Sequence, residues 1–506
     1  MSAALGPGLR GGLMVCGTTS DAGKSFVVAG LCRLLGRRGV RVAPFKAQNM
    51  ALNATVTADG AEIGHAQWVQ AVAAGVPPEA AMNPILLKPT SDRASQVVVM
   101  GRPTGVRSAA EYHGDKPGLR PVVAAALADL RARFDVVVCE GAGSPAEINL
   151  LDGDLVNLPL ARAAGLPAVV VGDIDRGGVF AALYGTVALL PDDLRACVRG
   201  FVVNRLRGDP ALLGGACADL EARCGVPTLG VLPHVGVVDI DNEDSLALDR
   251  ADPPPTGDGD VVDVAALRWP RVSNAGDLDP LRAEPGVHVR WVRSVAELGR
   301  PDLVVLPGSK NTRGDLDWFR RTGLAAAVER SAAPVVAVCA GLQMAGGRID
   351  DPDGVEGPAG ADEGLGWLPV TTDFRGDKVL DRPTATVVAG VGAGEAVAGY
   401  RIHHGRVGPD GAAGEWLMST EGSAGGEVLG WCTDRLAGTT VHGLFESDGF
   451  RAAVLADAAA RAGKRWTPAG VDFAATRLDR LDRIADTLEA HLDLDRVAAL
   501  IVEAAP

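Results

Sequence analysis

Apolar runs of four to seven residues alternate along the chain with longer segments in which apolar residues recur at helical spacing. Short apolar runs of this kind are typical of strands in parallel sheets, with crossover helices between them. The alternation occurs in both halves of the chain and predicts an α/β fold with parallel sheets. The predicted strands span residues 13–16, 40–45, 135–139, 168–172, 200–203 and 229–232 in the first half, and 261–267, 287–292, 303–306 and 335–338 in the second.

An acidic, proline-rich stretch separates the two halves. Residues 249–260 include three consecutive prolines and several aspartates, a composition that cannot continue a helix or a central strand. We therefore predict a first domain over 1–248, a linker over 249–260 and a second domain over 261–450. Residues 451–506 alternate Ala, Leu, Arg and Asp at helical spacing, and we expect two helices there that close the second domain.

Composition indicates a globular protein and argues against nucleic-acid-binding and membrane proteins. The chain has 506 residues, of which 47% are hydrophobic and 22% charged, enough for two or three domains with sizeable cores. A net charge of −14 argues against nucleic acid or an anionic membrane as partner. No apolar run is long enough for membrane insertion. The eight cysteines form no Cys-x-x-Cys pair and no disulfide pattern, so we expect a cytoplasmic protein.

A phosphate-binding loop is predicted between the strand over 13–16 and a helical segment over 26–38. Its glycines let backbone N–H groups wrap phosphate oxygens, its lysine neutralises the terminal phosphates of ATP, and its serine places a hydroxyl on Mg²⁺. An ordinary glycine-rich loop is the alternative, but strand, loop, Lys-Ser and helix in this order favour nucleotide binding. The predicted nucleotide contacts are Gly17, Thr18, Asp21, Gly23, Lys24, Ser25 and Asn204.

A magnesium site needs further oxygen ligands besides Ser25. Glu140 follows four apolar residues, which places it at the carboxyl end of a parallel strand, the same edge as the phosphate loop. Asp59 is the other candidate, although a solvated turn residue explains its position equally well. The predicted metal ligands are therefore Ser25, Asp59 and Glu140.

Cys339 ends the apolar run 335–338 and is followed at once by a helical pattern. A sharp turn from strand to helix exposes a nucleophile, and amide hydrolysis through a thioester needs a thiolate, a base and oxyanion donors. A lone cysteine at a strand end is more often buried and inert. The turn and the Pro-Gly loop after the strand over 303–306, together with His442, favour catalysis.

We assign His442 as the base, and the backbone amides of Gly308, Ser309 and Ala340 as the oxyanion hole. His403 and His404 form a pair with no evident catalytic role, and a structural or substrate-contact role is at least as good an interpretation.

Over nearly its whole length the chain resembles the cobyric acid synthase family. The phosphate loop, with five residues between its glycines, is similar to that of dethiobiotin synthetase. The other segments that carry the resemblance are 43–53, 57–64, 82–89, 140–149, 173–180, 270–274, 277–280, 306–312, 399–405 and 441–445.

The resemblance implies a dethiobiotin synthetase-like P-loop domain followed by a class I glutaminase-like domain. It also implies ATP- and glutamine-dependent amidation of the b, d, e and g carboxylates of a corrinoid, adenosylcobyrinic acid a,c-diamide, in cobalamin biosynthesis. An acyl phosphate would accept ammonia released at a cysteine thioester.

The sequence departs from the family pattern at four positions. Related glutaminases carry a glutamate two residues after the histidine, but this chain has Leu444 there. The resemblance therefore implies a Cys-His dyad, and the sequence does not identify the residue that orients His442. Ala337 stands where glycine is usual, and Arg401 and Cys16 replace an expected Glu and Gln.

Three other functions are alternatives for this sequence. A partitioning-type switch ATPase would carry a lysine five residues before Lys24, and Thr19 stands there. A related amidotransferase, acting on the corrin a and c carboxylates or on a peptidoglycan precursor, stays open because spacing does not reveal pocket specificity. A degenerate glutaminase that only binds a partner disagrees with the presence of Cys339 and His442. Oligomeric state and the order of amidations are not determined by the sequence.

Overall fold

The computed structural model describes residues 5–235, 260–412, 414–420 and 426–505. Each half of the chain folds into an α/β unit, around a parallel sheet in the first half and a mixed sheet with a parallel core in the second, which confirms the predicted fold class. The predicted linker lies outside the described residues except for Asp260. Among the helices in these ranges, none combines the length and apolar character needed to cross a bilayer.

The elements of the first half are, in chain order, β1 (Gly11–Gly17), α1 (Lys24–Arg37), β2 (Val42–Phe45), β3 (Gln48–Met50), β4 (Ala54–Val56), β5 (Glu62–Gly64), α2 (His65–Ala74), β6 (Ile85–Pro89), β7 (Ala94–Val99), β8 (Arg102–Ser108), α3 (Ala109–Arg133), β9 (Val136–Glu140), α4 (Leu158–Ala164), β10 (Ala168–Asp173), α5 (Val179–Leu189), α6 (Asp192–Arg195), β11 (Val198–Leu206), α7 (Ala216–Cys224) and β12 (Thr228–Pro233).

A six-stranded parallel sheet organises this half, in the order β12-β11-β10-β1-β9-β2. It contains all six predicted strands. One face packs against α3, α4, α5 and α7, and the other against α1 and α2. Because both faces are covered, the strands are continuous apolar runs rather than alternating ones. A smaller sheet, β3-β6-β7-β8, and the hairpin β4-β5 lie beside it.

The strand order reverses at β1. The chain passes from β1 to β2 on one side of the sheet, and later from β9 across β1 to β10 on the other. The loops that follow β1, β9 and β10 therefore meet at the carboxyl edge, where doubly wound sheets form their ligand crevice.

The elements of the second half are β13 (Val262–Leu267), β14 (Val272–Ser273), α8 (Asp279–Arg282), β15 (Val287–Val292), α9 (Val295–Leu298), β16 (Leu303–Leu306), β17 (Gly308–Ser309), α10 (Thr312–Arg321), α11 (Leu324–Arg330), β18 (Val335–Val338), α12 (Ala340–Ala345), β19 (Arg348–Asp351), β20 (Gly360–Glu363), β21 (Val370–Asp381), β22 (Thr384–Val387), β23 (Ala396–Ala398), β24 (Arg401–Pro409), β25 (Gly414–Ser419), β26 (Val428–Cys432), β27 (Leu436–Thr439), α13 (Asp448–Arg461), α14 (Phe473–His491) and α15 (Leu494–Glu503).

The main sheet of this half has the order β15-β13-β16-β18-β27-β26-β25-β22-β23. Its first five strands pair in parallel and contain the four predicted strands, whereas the last four continue the sheet in antiparallel pairs. A four-stranded sheet, β20-β19-β21-β24, and the short pair β14-β17 complete the half.

The C-terminal segment differs from its prediction in number and place. It forms three helices, not two, and of these α13 joins the core of the second half, through Val454 and Leu455. The other two return to the first half, where Ile484 and Leu488 of α14 join the core of α1, and Ile501 of α15 lies against β1. Helical spacing reveals that a helix has an apolar face, but not which domain that face covers.

The two halves share a packed interface. Residues of the β4-β5 region and of β6 and β7 form an apolar cluster with Tyr400 and Ile402 of the second half. Two reciprocal hydrogen bonds of 3.2 Å reinforce it: the Ala54 N–H donates to the Asn274 side chain, and the Ala275 N–H donates to the Asn53 side chain. The hairpin thus lies directly against the glutaminase-like half.

Candidate active sites

The phosphate loop connects β1 to α1 with the close packing that its glycines permit. Gly23 has a φ of 100°, and a Cβ added there would lie 2.0 Å from the Asn204 side-chain nitrogen. Asn204 lies near the end of β11 and donates to the Ala22 carbonyl over 3.1 Å. The structure thus brings Asn204 to the loop, as predicted from the sequence.

Lys24 lies inside the loop and is only 4% exposed. Its ammonium donates to the carbonyls of Thr19 (2.8 Å), Ser20 (3.0 Å) and Gly143 (3.3 Å). Carbonyl oxygens are weaker partners for an ammonium than phosphate oxygens, so this arrangement leaves a cation that a nucleotide can recruit.

The other predicted loop contacts have partners within the first half. The Thr18 N–H donates to the Val171 carbonyl over 2.9 Å, which anchors the start of the loop to β10. Asp21 forms ion pairs with Arg205, at 3.0 Å, and with Arg176. These contacts hold the loop between the ends of β1, β10 and β11.

Two of the three predicted metal ligands are neighbours. The Ser25 hydroxyl donates to Glu140 Oε1 over 2.9 Å at the carboxyl edge of the sheet. Glu140 also accepts from the buried Lys46 ammonium, at 2.9 Å, and from Gln70, at 2.5 Å. A serine hydroxyl and a carboxylate beside a phosphate loop suit Mg²⁺, which usually takes one or two protein ligands plus phosphates and water.

Asp59 is placed differently. It lies exposed in the turn between β4 and β5, where its carboxylate accepts from the Thr57 hydroxyl. Among the described residues, no hydrogen bond or ion pair given for Asp59 joins it to Ser25 or Glu140. The same residues contain no group of three His, Cys, Asp or Glu side chains arranged around a metal. The structure therefore does not bring the third predicted ligand to the other two.

Cys339 occupies the sharp turn between β18 and α12. Its φ of 52° and ψ of −106° lie outside the ordinary regions for a side-chain-bearing residue, a strain found at nucleophile turns. Gly341 makes the turn possible, because an added Cβ there would lie 2.2 Å from the Leu306 carbonyl oxygen. Ala337, in place of the usual glycine, is fully buried in β18.

His442 follows β27 and lies with Cys339 on the wall of one cavity. Its Nδ1 is 2.7 Å from Asp277 Oδ2, and Asp277 Oδ1 accepts from the Gly443 N–H over 2.8 Å. Burial alone lowers the pKa of His442, but the nearby Asp277 and Cys339 outweigh it and raise the pKa to about 10. Asp277 therefore orients His442, in place of the glutamate that related glutaminases carry at the position of Leu444.

Sequence reasoning missed Asp277. It lies 165 residues before His442, in a one-turn helix over Ala275–Leu278, so no spacing rule connects the two. The segment 277–280 carries part of the family resemblance, but its pattern alone assigns Asp277 no role. A buried acidic residue in such a segment, when a catalytic histidine lacks its usual partner, is the signal that could have identified it.

The predicted oxyanion-hole residues lie around Cys339 and His442. Gly308 packs so closely on His442 that an added Cβ would lie 2.9 Å from the imidazole Cε1. Ser309 follows in β17, and its hydroxyl donates to Asp315 over 2.6 Å. Ala340 is the first residue of α12, directly after Cys339. The structure thus brings all five predicted residues of the second site to one place.

His403 and His404 lie near this site but outside the Cys-His contact. His403 Nδ1 is 2.7 Å from the Gly405 carbonyl, and His404 Nε2 is 3.2 Å from the side-chain nitrogen of Gln96 in the first half. Burial lowers the pKa of each to about 3, so both imidazoles are neutral. His404 therefore contributes to the contact between the halves.

The chain matches two family models. Residues 13–246 match the CobQ/CobB/MinD/ParA nucleotide binding domain, and residues 263–450 match the CobB/CobQ-like glutamine amidotransferase domain. The first match covers the phosphate loop, and the second covers Cys339, His442 and Asp277. The first match thus ends just before the predicted linker, and the second begins just after it.

Curated relatives match over almost their full length. Cobyric acid synthase of Nocardia farcinica is 52% identical over 98% of each chain. That of Rhodococcus jostii is 51% identical over 98% of this chain and 96% of its own, and that of Streptomyces coelicolor is 49% identical over 98% of both. At this identity and coverage, the chain belongs to the cobyric acid synthase family of glutamine-dependent ligases.

Proposed function

We propose that this chain uses ATP and glutamine to amidate the b, d, e and g carboxylates of adenosylcobyrinic acid a,c-diamide, giving adenosylcobyric acid. The supporting observation is that one chain holds Lys24 in a phosphate loop and Cys339 in one cavity with His442, which Asp277 orients. A glutaminase site alone would hydrolyse glutamine without using the ammonia, and a phosphate loop alone would activate a carboxylate without supplying nitrogen. Amidation of a carboxylate with glutamine needs both.

In the second half, Cys339 would attack the side-chain carbonyl carbon of glutamine. The imidazolium of His442, stabilised by Asp277, favours the thiolate and donates one proton to the departing nitrogen, which leaves as NH₃. Neutral His442 then takes a proton from water, which hydrolyses the thioester to glutamate. Backbone amides at Gly308, Ser309 and Ala340 are the proposed donors to the oxyanion.

In the first half, a carboxylate must be activated because it is a poor electrophile. Lys24 would exchange its backbone carbonyl partners for the terminal phosphate oxygens of ATP and so stabilise the charge that develops as phosphate is transferred. The substrate acyl phosphate would then accept ammonia and release phosphate. Thr18, Asp21, Gly23 and Asn204 are proposed to shape the nucleotide cradle.

The Ser25 hydroxyl and the Glu140 carboxylate are proposed to hold Mg²⁺, which when bound neutralises phosphate charge. Lys46 and Gln70 donate to the Glu140 carboxylate and fix it at the loop. Asp59 stays a predicted ligand without an observed contact to either residue.

Mass spectrometry of the corrinoid tests this function. The protein is incubated with adenosylcobyrinic acid a,c-diamide, ATP, Mg²⁺ and glutamine, beside reactions that each lack one component. Successive carboxyl-to-carboxamide shifts that end at four additions, and that need every component, support the proposal. Hydrolysis of ATP and glutamine with no mass shift would contradict this substrate and point to another carboxylate.

A further inference from the structure

Two buried side chains bind the loop over Gly308 and Ser309. Trp269 lies just after β13 and is fully buried, and Asp315 lies in the first turn of α10 and is 2% exposed. The proposed glutaminase chemistry gives neither of them a role. Catalytic groups depend on neighbours that fix them by packing and hydrogen bonds, so buried polar groups bound to a catalytic loop are candidates for that task.

The contact of Trp269 fixes the orientation of one peptide group. The indole Nε1–H donates to the Gly308 carbonyl over 3.1 Å. In a trans peptide group the C=O and N–H bonds point in opposite directions, and the N–H opposite this carbonyl belongs to Ser309. The Ser309 N–H therefore points away from the indole. Trp269 is itself held by an edge contact with Phe319, with ring centroids 5.5 Å apart.

The contact of Asp315 fixes the side chain of Ser309. The Ser309 hydroxyl donates to Asp315 Oδ2 over 2.6 Å, and the Arg271 N–H donates to the same oxygen over 3.2 Å. The Ser309 hydroxyl in turn accepts from the Asn311 N–H over 2.9 Å. Burial raises the pKa of Asp315 to about 6, although these two donors lower it, so at pH 8 the group is an ionised acceptor.

The loop lies between these two supports and the nucleophile. Gly308 pairs with Ser273 in the short antiparallel sheet β14-β17, and an added Cβ on Gly308 would lie 2.9 Å from the His442 imidazole. Ser309 lines the cavity that also contains Cys339 and His442. A peptide group next to glycine rotates more easily than any other, so its orientation must be imposed by contacts from outside the loop.

We propose that Trp269 and Asp315 are positioning residues of the glutaminase, which hold the Gly308–Ser309 peptide group with its N–H toward the reacting carbonyl oxygen of glutamine. The inference rests on the proposed function, in which the Ser309 amide donates to the oxyanion. Such a donor stabilises the transition state most when it is oriented in advance, because no free energy is then spent on turning it during the reaction. Neither side chain contacts glutamine in this account.

Three substitutions remove the contacts one at a time. Asp315→Ala removes the acceptor, Ser309→Ala removes the hydroxyl but keeps the backbone amide, and Trp269→Phe removes the indole donor. For each variant we expect the kcat of glutamine hydrolysis to fall about 10- to 100-fold, with KM within about threefold of wild type, because the oriented donor acts mainly in the transition state.

Two further variants separate a hydrogen bond from other effects. Asp315→Asn keeps an oxygen that accepts from the Ser309 hydroxyl, so its kcat should stay within about threefold of wild type. Asp315 and Ser309 act through one hydrogen bond, so Asp315→Ala combined with Ser309→Ala should lose no more activity than the more damaging single variant.

Alkylation of Cys339 separates positioning from general damage to the site. Iodoacetamide reacts with the thiolate by displacement of iodide and forms no oxyanion. Its rate is measured at pH 8 on the peptide that contains Cys339, by mass spectrometry. In Asp315→Ala and Trp269→Phe we expect this rate, and amidation supported by ammonium, to stay within about twofold of wild type.

Asp317→Ala and Trp318→Phe are the matched controls. Both residues belong to α10, where Asp317 pairs with Arg321 at 2.7 Å on the surface and Trp318 packs, partly buried, on the same core as Trp269. Neither residue has a contact given to the loop over Gly308 and Ser309 in the described structure. Both variants should keep the wild-type kcat.

A wild-type kcat in folded Asp315→Ala or Trp269→Phe would overturn the proposal. Equal losses of kcat and of alkylation rate would overturn it too, as would equal losses of kcat in Asp315→Asn and Asp315→Ala. If Asp315→Ala fails to fold, Ser309→Ala and Trp269→Phe decide. A wild-type protein that does not hydrolyse glutamine would instead contradict the proposed function.

Discussion

In the glutaminase half, Cys339 and His442 line one cavity and Asp277 already holds the imidazole, whereas in the phosphate-loop half Lys24 and Ser25 are bonded to oxygens of the protein itself. The first arrangement fixes a proton path before any substrate binds. In the second, the Lys24 ammonium is bound to backbone carbonyls and the Ser25 hydroxyl to Glu140. The phosphates of a nucleotide and a metal ion are stronger partners that can replace these contacts.

The difference follows from the chemistry of the two halves. Thioester formation uses a covalent nucleophile, whose strained backbone and oriented base must be built into the fold. Phosphoryl transfer works mainly by positioning and charge neutralisation, so its groups can be assembled by the nucleotide. The two halves should therefore respond differently to substitutions and to the choice of nitrogen donor.

Removing the nucleophile should have the largest effect. With Cys339→Ala, we expect glutamate release to fall by at least about 10³-fold, because no other group in the site forms the thioester. Amidation supported by ammonium should stay within about twofold of wild type, since the ligase half is unchanged. Cys432→Ala, at a half-buried cysteine of β26, is the control. Loss of both activities in a folded Cys339→Ala protein would contradict separate sites.

Removing the Lys24 ammonium should abolish amidation from both nitrogen donors and leave glutamine hydrolysis intact. With Lys24→Met, we expect amidation from glutamine and from ammonium to fall by about 10²- to 10³-fold, because the transferred phosphate loses its main cation. Glutamate release should continue. Lys116→Met, a cation on α3 outside the loop, serves as control. Amidation that survives in Lys24→Met would show that the loop is not the nucleotide site.

Removing the acid behind His442 should weaken the glutaminase without abolishing it. With Asp277→Asn, we expect glutamate release to fall by about 10²-fold, because the imidazolium loses its partner. Asp277 and Cys339 together raise the pKa of His442 to about 10, so loss of Asp277 lowers that pKa and moves the alkaline limb of the pH profile to lower pH. Asp279→Asn, whose native carboxylate pairs with Arg282, is the control. An unchanged profile would rule out this role for Asp277.

The helix α14 should contribute to the stability of the first half and not to either reaction. Leu488 of α14 is fully buried on α1, and Leu488→Ala should destabilise the first half by about 2–5 kcal/mol, measured by denaturant unfolding. Leu212→Ala, where the side chain is 84% exposed, should change stability by less than about 0.5 kcal/mol. Equal effects in the two variants would contradict the packing of α14 on the first half.

The sequence predicted the parts of the molecule that local pattern encodes. Strands buried on both faces are continuous apolar runs, so the ten predicted strands all lie in the two main sheets. The turns at Gly23 and Cys339 have local signatures too, because a phosphate loop and a nucleophile turn each need small residues at fixed offsets. Spacing along the chain was sufficient for these features.

Features that depend on distant contacts escaped prediction. Asp277 meets His442 across 165 residues, and Glu62 pairs with Lys378 across 316. The helix α14 covers the first half because its apolar stripe fits α1, and the stripe alone does not identify its partner. Asp59 shows the converse, since its position at the end of a predicted strand suggested a metal ligand, while the fold places it in an exposed turn.

Isotope labelling of the product tests the central claim, that Cys339 supplies the nitrogen that the phosphate-loop half adds. Wild type and Cys339→Ala are each given the a,c-diamide, ATP and Mg²⁺, with either amide-¹⁵N glutamine or ¹⁵N ammonium, and the carboxamides are analysed by mass spectrometry. We predict that wild type incorporates label from both donors, and Cys339→Ala from ammonium only. Label from glutamine in Cys339→Ala, or none from ammonium in that variant, would contradict the account.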